Sequence, residues 1–225
     1  IKESKFIFFN SVFEKVAYFL LFLFFARFFS SEQYGEFITI NNLGNIIISI
    51  CCFGLGIQLQ SLIAKNSDSG QKIYSNFLIL TGLIILTDFI IGFIAYFGFY
   101  SHLNILFFLL IILWSGTSTA GGNLSFSYYG LNKYNTQFYI IFITKSITFL
   151  LAILSCLIFN SFTLCILILL FGSIIFFIPC IFYFPHRFNL SLVNKSYLKT
   201  IFISGLPIGI STVFNYLYDK VDIII

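Results

Sequence analysis

Charged residues are scarce in this chain, and hydrophobic residues are abundant. Asp, Glu, Lys and Arg make up 9% of the 225 residues, whereas hydrophobic residues make up 59%. Ordinary soluble domains contain about 25% charged residues. A soluble protein of this size could not bury so much apolar surface, but lipid tolerates it. The basic residues form no cluster beside aromatic stacking residues on a polar surface, so we expect no nucleic-acid partner.

The residue arrangements that usually carry catalysis, metal binding or nucleotide hydrolysis are also absent from the sequence. The two histidines, His102 and His186, fall on opposite predicted sides of the membrane and cannot share a site. The five cysteines lack zinc-type spacing, and there is no P-loop. These absences predict that the protein is not an enzyme, binds no metal or cofactor, and is not an ATP-driven transporter.

Methionine is absent altogether, and the sequence stops inside a hydrophobic run at Ile225. We therefore expect a fragment that is truncated at both ends. The first hydrophobic run is too long and carries charge, so it is interpreted as a true span and not as a cleavable signal peptide. Many Phe, Ile, Asn and Lys residues suggest an AT-rich bacterial genome. We expect the protein in the bacterial cytoplasmic membrane.

The sequence does contain a series of hydrophobic runs long enough to cross a bilayer, which takes about 20 residues. The predicted fold class is all-α, a polytopic membrane helix bundle of six spans followed by a seventh. The longest connector, 185–201, would separate an amino-terminal six-helix bundle at 1–184 from the first helix of a second bundle at 202–225. We place the spans at residues 7–29, 37–63, 77–99, 104–128, 137–159, 163–184 and 202–225.

Lysine and arginine alternate between connectors in a way that predicts the orientation of the chain. One set of connectors contains six of them, and Lys2 and Lys5 before the first span fall in phase with this set. The connectors near 30–36, 100–104 and 160–162 contain none. Because cytoplasmic loops are enriched in Lys and Arg, we expect the amino terminus in the cytoplasm. The basic connector residues are Lys65, Lys72, Lys133, Arg187, Lys195 and Lys199.

Several charged residues lie within the predicted spans, where an unpaired charge is costly. At the helical rise, Glu14 lies roughly 10 Å and Lys145 roughly 12 Å from the cytoplasmic start of their spans. These matching depths allow an ion pair between the two residues. Asp88 lies roughly 16 Å into its span, and we expect it to face a cavity or a buried partner. The side chains of Lys15 and Arg27 are long enough to reach the headgroups.

Three spans carry polar residues on one helical face, and in the fifth these are Thr144, Lys145 and Thr148. Asn41 and Asn45 recur at a spacing of four in the second span, and Ser118 and Asn123 belong to a polar face in the fourth. Small and hydroxyl residues commonly allow membrane helices to pack closely. Close packing and a water-filled cavity therefore both stay open as interpretations of these faces, with the asparagines less easily explained by packing.

Four short segments, taken in order along the chain, are similar to one group of transporters. They are Ala26-Arg27-Phe28-Phe29-Ser30-Ser31-Glu32-Gln33-Tyr34-Gly35-Glu36-Phe37; Phe53-Gly54-Leu55-Gly56 followed by Ile63-Ala64-Lys65; Tyr129-Gly130-Leu131-Asn132-Lys133-Tyr134; and Gly205-Leu206-Pro207 with Asp219 and Asp222. Together they resemble the polysaccharide and O-antigen flippases of the multidrug/oligosaccharidyl-lipid/polysaccharide exporter superfamily. Arg27 lies in one of these segments, whereas Lys145 is proposed from its depth only.

The resemblance implies two six-helix bundles that face each other in a V, with a central cavity that opens alternately to each side. It implies export of an undecaprenyl-pyrophosphate-linked oligosaccharide for O-antigen, capsule or exopolysaccharide synthesis. Basic residues would attract the phosphates, polar residues would bind the sugar, and acidic residues would couple transport to H⁺ or Na⁺. The candidate substrate-binding residues are Lys145, Arg27, Asn41, Asn45, Ser118 and Asn123, and the candidate ion-coupling residues are Asp88 and Glu14.

Two alternative functions follow from the same features. A cation-coupled multidrug exporter of the same superfamily would have a cavity dominated by acidic residues, whereas both charge signs are about equally represented within these spans. A membrane-embedded polysaccharide polymerase would need a large outer loop with catalytic residues. The three predicted outer connectors are too short for such a loop, so export is the favoured interpretation.

Overall fold

The computed structural model describes residues 4–52, 54–66, 69–182 and 188–224. These residues form eight α-helices with short π-helical and 3₁₀ turns, and no strand occurs among them. The predicted all-α class is therefore confirmed. The helices are α1 (Ser4–Phe28), α2 (Ser31–Cys52), α3 (Leu55–Lys65), α4 (Gly70–Ala95), α5 (Ile105–Gly130), α6 (Tyr134–Phe159), α7 (Phe162–Phe182) and α8 (Lys195–Ile224). Lys2, His186 and Arg187, and the side chains of Asp219 and Asp222, lie outside the described residues.

Helices of membrane length dominate the described part of the chain. Five are long and apolar enough to cross a membrane, and the described apolar stretch of α7, Phe162–Ile178, is shorter. Large side chains such as Phe19, Leu86 and Ile158 are exposed on the outer faces, as contact with lipid requires. The chain is therefore a helical membrane protein. The five candidate spans are Lys5–Phe28, Ser31–Lys65, Gly70–Tyr100, Ile105–Gly130 and Tyr134–Phe159.

The second predicted span is interrupted. It was expected at 37–63 as one helix, but helical structure begins at Ser31 and breaks between α2 and α3. At the break, Gly54 has a φ of 65°, a left-handed conformation that glycine adopts without steric cost. A Cβ atom at Gly54 would also collide with Ile208 of α8. Glycine therefore permits both the break and the close approach of α8.

Helix α5 lies at the centre of the bundle, and α1 lies at its periphery. In the most apolar stretch of α5 61% of the residues are buried, against 11% in α1. α5 contacts α2, α3, α4, α6 and α7, whereas α1 packs mainly along α6. Glycine on α5 allows neighbouring side chains to pack closely. At Gly121, a Cβ atom would lie 2.9 Å from the ring of Phe176 on α7. This arrangement leaves space between α1 and the α2–α5 pair.

The connector before α8 is attached to the start of α4. Buried Ser75 and Asn76 hold the backbone of the 189–194 segment through three hydrogen bonds of 3.0–3.1 Å. α8 begins at Lys195, so the predicted connector 185–201 is partly helical and shorter than expected. α8 then packs against α2, α3 and α4. These contacts anchor the start of α8 on the bundle that contains the cavities.

Candidate functional site

A polar cavity of about 770 Å³ lies between α1, α2 and α5 and is bounded on one side by α6. Its volume lies within the range of about 300–1,000 Å³ that is usual for small-molecule sites. Six of the eight predicted site residues line this larger cavity. These are Asn41, Asn45, Ser118, Asn123, Lys145 and Glu14. Helices far apart in the sequence therefore bring most of the predicted residues to one place.

Helical periodicity explains why the polar side chains converge. Asn41 and Asn45 are four residues apart on α2, so they share the face that lines the larger cavity with Ser118 of α5. The same α5 face also serves packing. The Ser115 hydroxyl donates to a carbonyl of its own helix at 2.8 Å, and the side chain packs against Gly44. Ser115 therefore both packs against Gly44 and lines the larger cavity.

Lys145 of α6 and Glu14 of α1 form an ion pair at the wall of the larger cavity. The Lys145 ammonium group also lies 4.9 Å from the centroid of the Tyr18 ring, a cation–π contact. The Tyr18 hydroxyl is 3.1 Å from Ser118 Oγ. The Lys145 and Glu14 side chains are 20% and 33% exposed, so the cavity reaches both charges. The structure thus contains the ion pair that the matching depths allow.

Lys15, the residue after Glu14, also lines the larger cavity, and its side chain is exposed. Its length suggested a position at the headgroups instead. Successive residues on a helix are rotated by about 100°, so Lys15 contributes to the lining from another direction than Glu14, which pairs with Lys145 of α6. The cavity is therefore lined by two cations and one carboxylate.

Asp88 lies apart from the cavity, where α4 packs against α5. Its side chain is fully buried, and neither carboxylate oxygen has a hydrogen-bond partner among the described residues. Gly116 of α5 makes room for it, because a Cβ atom at that position would collide with the carboxylate. The expectation that Asp88 faces a cavity or a charged partner is therefore not met within the described part of the chain.

Arg27 is also separate from the larger cavity. It lies in the last turn of α1, and its side chain is exposed. The residues that line the larger cavity from α1 stop at Phe22, more than one helical turn earlier. The position of Arg27 agrees with a headgroup contact and not with a ligand inside the bundle.

A second cavity of about 320 Å³ adjoins the first, between α1, α5, α6 and α7. The two cavities share Glu14, Tyr18 and Lys145 in their walls. Asn10 and Gln137 line the smaller cavity and were missed in the sequence, because polar residues near helix ends are common. The available signal was spacing, since Asn10 lies four residues before Glu14, on the same helical face.

The site is thus a pair of adjoining polar cavities with an ion pair between them, inside a bundle of membrane-length helices. Among the described residues, no group of three or more His, Cys, Asp and Glu side chains is placed to hold a metal ion. No family model, curated protein or solved structure matches this chain. The function proposed below therefore rests on the geometry of the cavities.

Proposed function

We propose that this chain belongs to a flippase that moves an undecaprenyl-pyrophosphate-linked oligosaccharide across the bacterial cytoplasmic membrane. The observation that supports this proposal is the polar cavity of about 770 Å³ inside a bundle of apolar, membrane-length helices. Its ammonium groups suit phosphate, its amides and hydroxyls suit sugar, and the polyprenyl tail would stay in lipid. In this proposal six spans form the first of two bundles, with the amino terminus in the cytoplasm and alternating access between the bundles.

The Glu14–Lys145 pair provides a way for phosphate to enter. A pyrophosphate group would compete with Glu14 for the Lys145 ammonium group, and a displaced Glu14 would be an uncompensated carboxylate. Glu14 is thereby one of the two carboxyl groups, with Asp88, that could couple transport to H⁺ or Na⁺. Asn41 and Asn45 would hydrogen-bond the sugar hydroxyls from the opposite wall.

The membrane potential gives this transport a direction. A cytoplasm-negative potential favours outward movement of an anion by about 2.3 kcal/mol per charge per 100 mV. Lys15 and Lys145 would lower the cost of bringing the phosphates into the bundle. In this proposal the membrane potential favours outward over inward flipping, and the lysines of the cavity lower the barrier to it.

A flipping assay with full-length protein in vesicles tests the proposal. The substrate is an undecaprenyl-pyrophosphate-linked oligosaccharide, and the measured quantity is its appearance in the opposite leaflet. We expect Lys145→Ala to slow flipping at least about tenfold, the effect of losing one charged hydrogen bond. Lys145→Arg keeps a cation at the cavity wall and should retain more activity.

Lys133→Ala is the matched control, because Lys133 is an exposed lysine that immediately precedes α6. We expect this variant to flip at the wild-type rate. Wild-type flipping by Lys145→Ala, or equal losses in both variants, would contradict the role of the cavity. Failure of the wild-type protein to flip the lipid would contradict the proposed substrate.

A cation-coupled multidrug exporter is the second candidate. The aromatic residues Phe22, Trp114 and Phe126 line the larger cavity, and such surfaces also bind flat organic cations. Transport of ethidium by the same vesicles, driven by an imposed pH gradient, distinguishes this function. Ethidium transport without flipping of the lipid-linked oligosaccharide would favour the exporter.

A further inference from the structure

Two buried amide oxygens in the smaller cavity have no hydrogen-bond donor among the described residues. They are Oδ1 of Asn10 on α1 and Oε1 of Gln137 on α6. The two residues are 7% and 2% exposed, and both line the cavity of about 320 Å³. Buried polar atoms are nearly always satisfied by a partner. Two such acceptors on facing helices therefore indicate a ligand that donates hydrogen bonds.

Both amide groups also contact hydroxyl groups of the protein. Gln137 Nε2 donates to Ser125 Oγ at 2.8 Å, and that hydroxyl donates in turn to the Gly122 carbonyl at 2.7 Å. The amides of Asn10 and Gln137 both hydrogen-bond with the Tyr129 hydroxyl. In this arrangement Oδ1 of Asn10 and Oε1 of Gln137 are left without a donor among the described residues.

The charge at the shared wall selects the kind of donor. Lys145 already balances the Glu14 carboxylate, and the other residues that line the smaller cavity supply no second carboxylate. A metal ion or an ammonium group bound at the amides would therefore add a charge without a partner. A neutral hydroxyl group adds no charge and can donate to the amide oxygens.

We propose that the smaller cavity is a sugar subsite in which Asn10 and Gln137 accept hydrogen bonds from hydroxyl groups next to the pyrophosphate. This inference rests on the proposed flippase function and adds a specific location for the sugar. Along their helices, Asn10 lies about 6 Å and Gln137 about 12 Å from the ion pair. A substrate whose phosphate contacts Lys145 would thus place its first sugar at these amides.

Binding measurements with two lipid probes test the subsite. The probes are bare undecaprenyl pyrophosphate and undecaprenyl pyrophosphate that carries one hexose, each titrated into the purified full-length protein in nanodiscs. The wild-type protein should bind the hexose-bearing probe more tightly. Asn10→Leu and Gln137→Leu should each reduce this preference by about tenfold, the value of one hydrogen bond, with unchanged binding of the bare probe.

Asn76→Leu is the matched control, because Asn76 is a fully buried amide whose oxygen and nitrogen are both used within the protein. It should lower stability without changing the sugar preference, which separates a subsite from a general effect on folding. Asn10 lies on the peripheral helix α1, so its variant stays informative even if Gln137→Leu does not fold.

Two results would contradict the sugar subsite, and a third would contradict the proposed function. A wild-type sugar preference in Asn10→Leu would overturn the subsite. An equal loss of preference in Asn76→Leu would also overturn it, because the effect would then be structural. If the wild-type protein bound neither probe, the proposed function itself would fail.

Discussion

The Glu14–Lys145 pair and Asp88 are ionisable groups within membrane-length helices, but their surroundings are opposite. The pair joins the peripheral helix α1 to α6, is 20–33% exposed, and forms the wall between two polar cavities. Asp88 is fully buried against Gly116 in the interface of α4 and α5. Its carboxylate oxygens contact no hydrogen-bond donor among the described residues.

The difference shows that depth indicates the cost of a charge but not how a protein meets it. Between α1 and α6, the Lys145 charge is stabilised by the Glu14 carboxylate and by the Tyr18 ring. Both contacts lie at the wall of a cavity, where a substrate could replace them. At the α4–α5 interface, the carboxyl group is enclosed by tight packing. We expect the first region to bind substrate and the second to serve the packing of α4 against α5.

The largest expected effect on stability comes from removing one partner of the pair. Lys145→Ala leaves the Glu14 carboxylate uncompensated, and we expect it to lower the free energy of unfolding by about 2–3 kcal/mol, less than for a fully buried pair. The double variant Glu14→Gln/Lys145→Gln removes both charges and should recover most of that loss. Denaturant titrations in detergent measure all three proteins. A double variant as unstable as the single one would show that packing, and not charge, connects α1 to α6.

The next effect concerns the space around Asp88. Gly116→Ala places a Cβ atom against the carboxylate and should lower stability by about 1–2 kcal/mol through overpacking. Gly122→Ala on the same helix is the control, because a Cβ atom there meets nothing within 4 Å. Thermal unfolding of both variants checks the prediction. Equal melting temperatures would mean that the α4–α5 interface is looser than the Asp88 contacts indicate.

Asp88→Asn should have a smaller effect on stability but a specific effect on coupling. The amide has the shape of the carboxyl group, so we expect a change below about 1 kcal/mol. If Asp88 couples flipping to protons, an imposed pH gradient should accelerate the wild-type protein but not the variant. A variant that still responded to the gradient would assign coupling to Glu14, the carboxylate at the cavity wall.

Arg27→Ala should have the smallest effect. Arg27 is exposed in the last turn of α1 and lies outside the larger cavity. We expect its flipping rate to stay within about twofold of the wild-type rate, as for most surface substitutions. The vesicle assay that compares it with Lys145→Ala measures this directly. A tenfold loss would mean that the path of the substrate extends to the end of α1.

Hydrophobic length and helical spacing were enough to predict much of the fold and part of the site. The runs predicted an all-helical chain, and matching depths showed that a Glu14–Lys145 pair is possible. The predicted count of six spans and a seventh is not confirmed, since the described residues contain five candidate spans. The interruption at Gly54, where the backbone is left-handed, was not predicted from the hydrophobic run. Hydrophobicity is nearly uniform around such helices, so it carries little information about where they bend.

The sequence also did not predict that Lys15 and Asn10 of α1 line cavities. Lys15 and Asn10 line cavities because α1 packs along α6 and stands away from α2. The orientation of α1 depends on contacts between helices that are far apart in the sequence, so no local pattern indicates it. Arg27 is the opposite case. It lies in one of the segments that resemble the flippases, but it does not line the larger cavity.

The most direct test of the comparison is labelling of single cysteines in a cysteine-free background. Ser118→Cys lies on the larger cavity, and Asp88→Cys lies in the α4–α5 interface. A water-soluble thiol reagent should label Ser118→Cys, and undecaprenyl pyrophosphate should protect it, whereas Asp88→Cys should stay unlabelled. Equal labelling at both positions, or labelling of Ser118→Cys that the lipid does not slow, would contradict a substrate cavity at the Glu14–Lys145 pair.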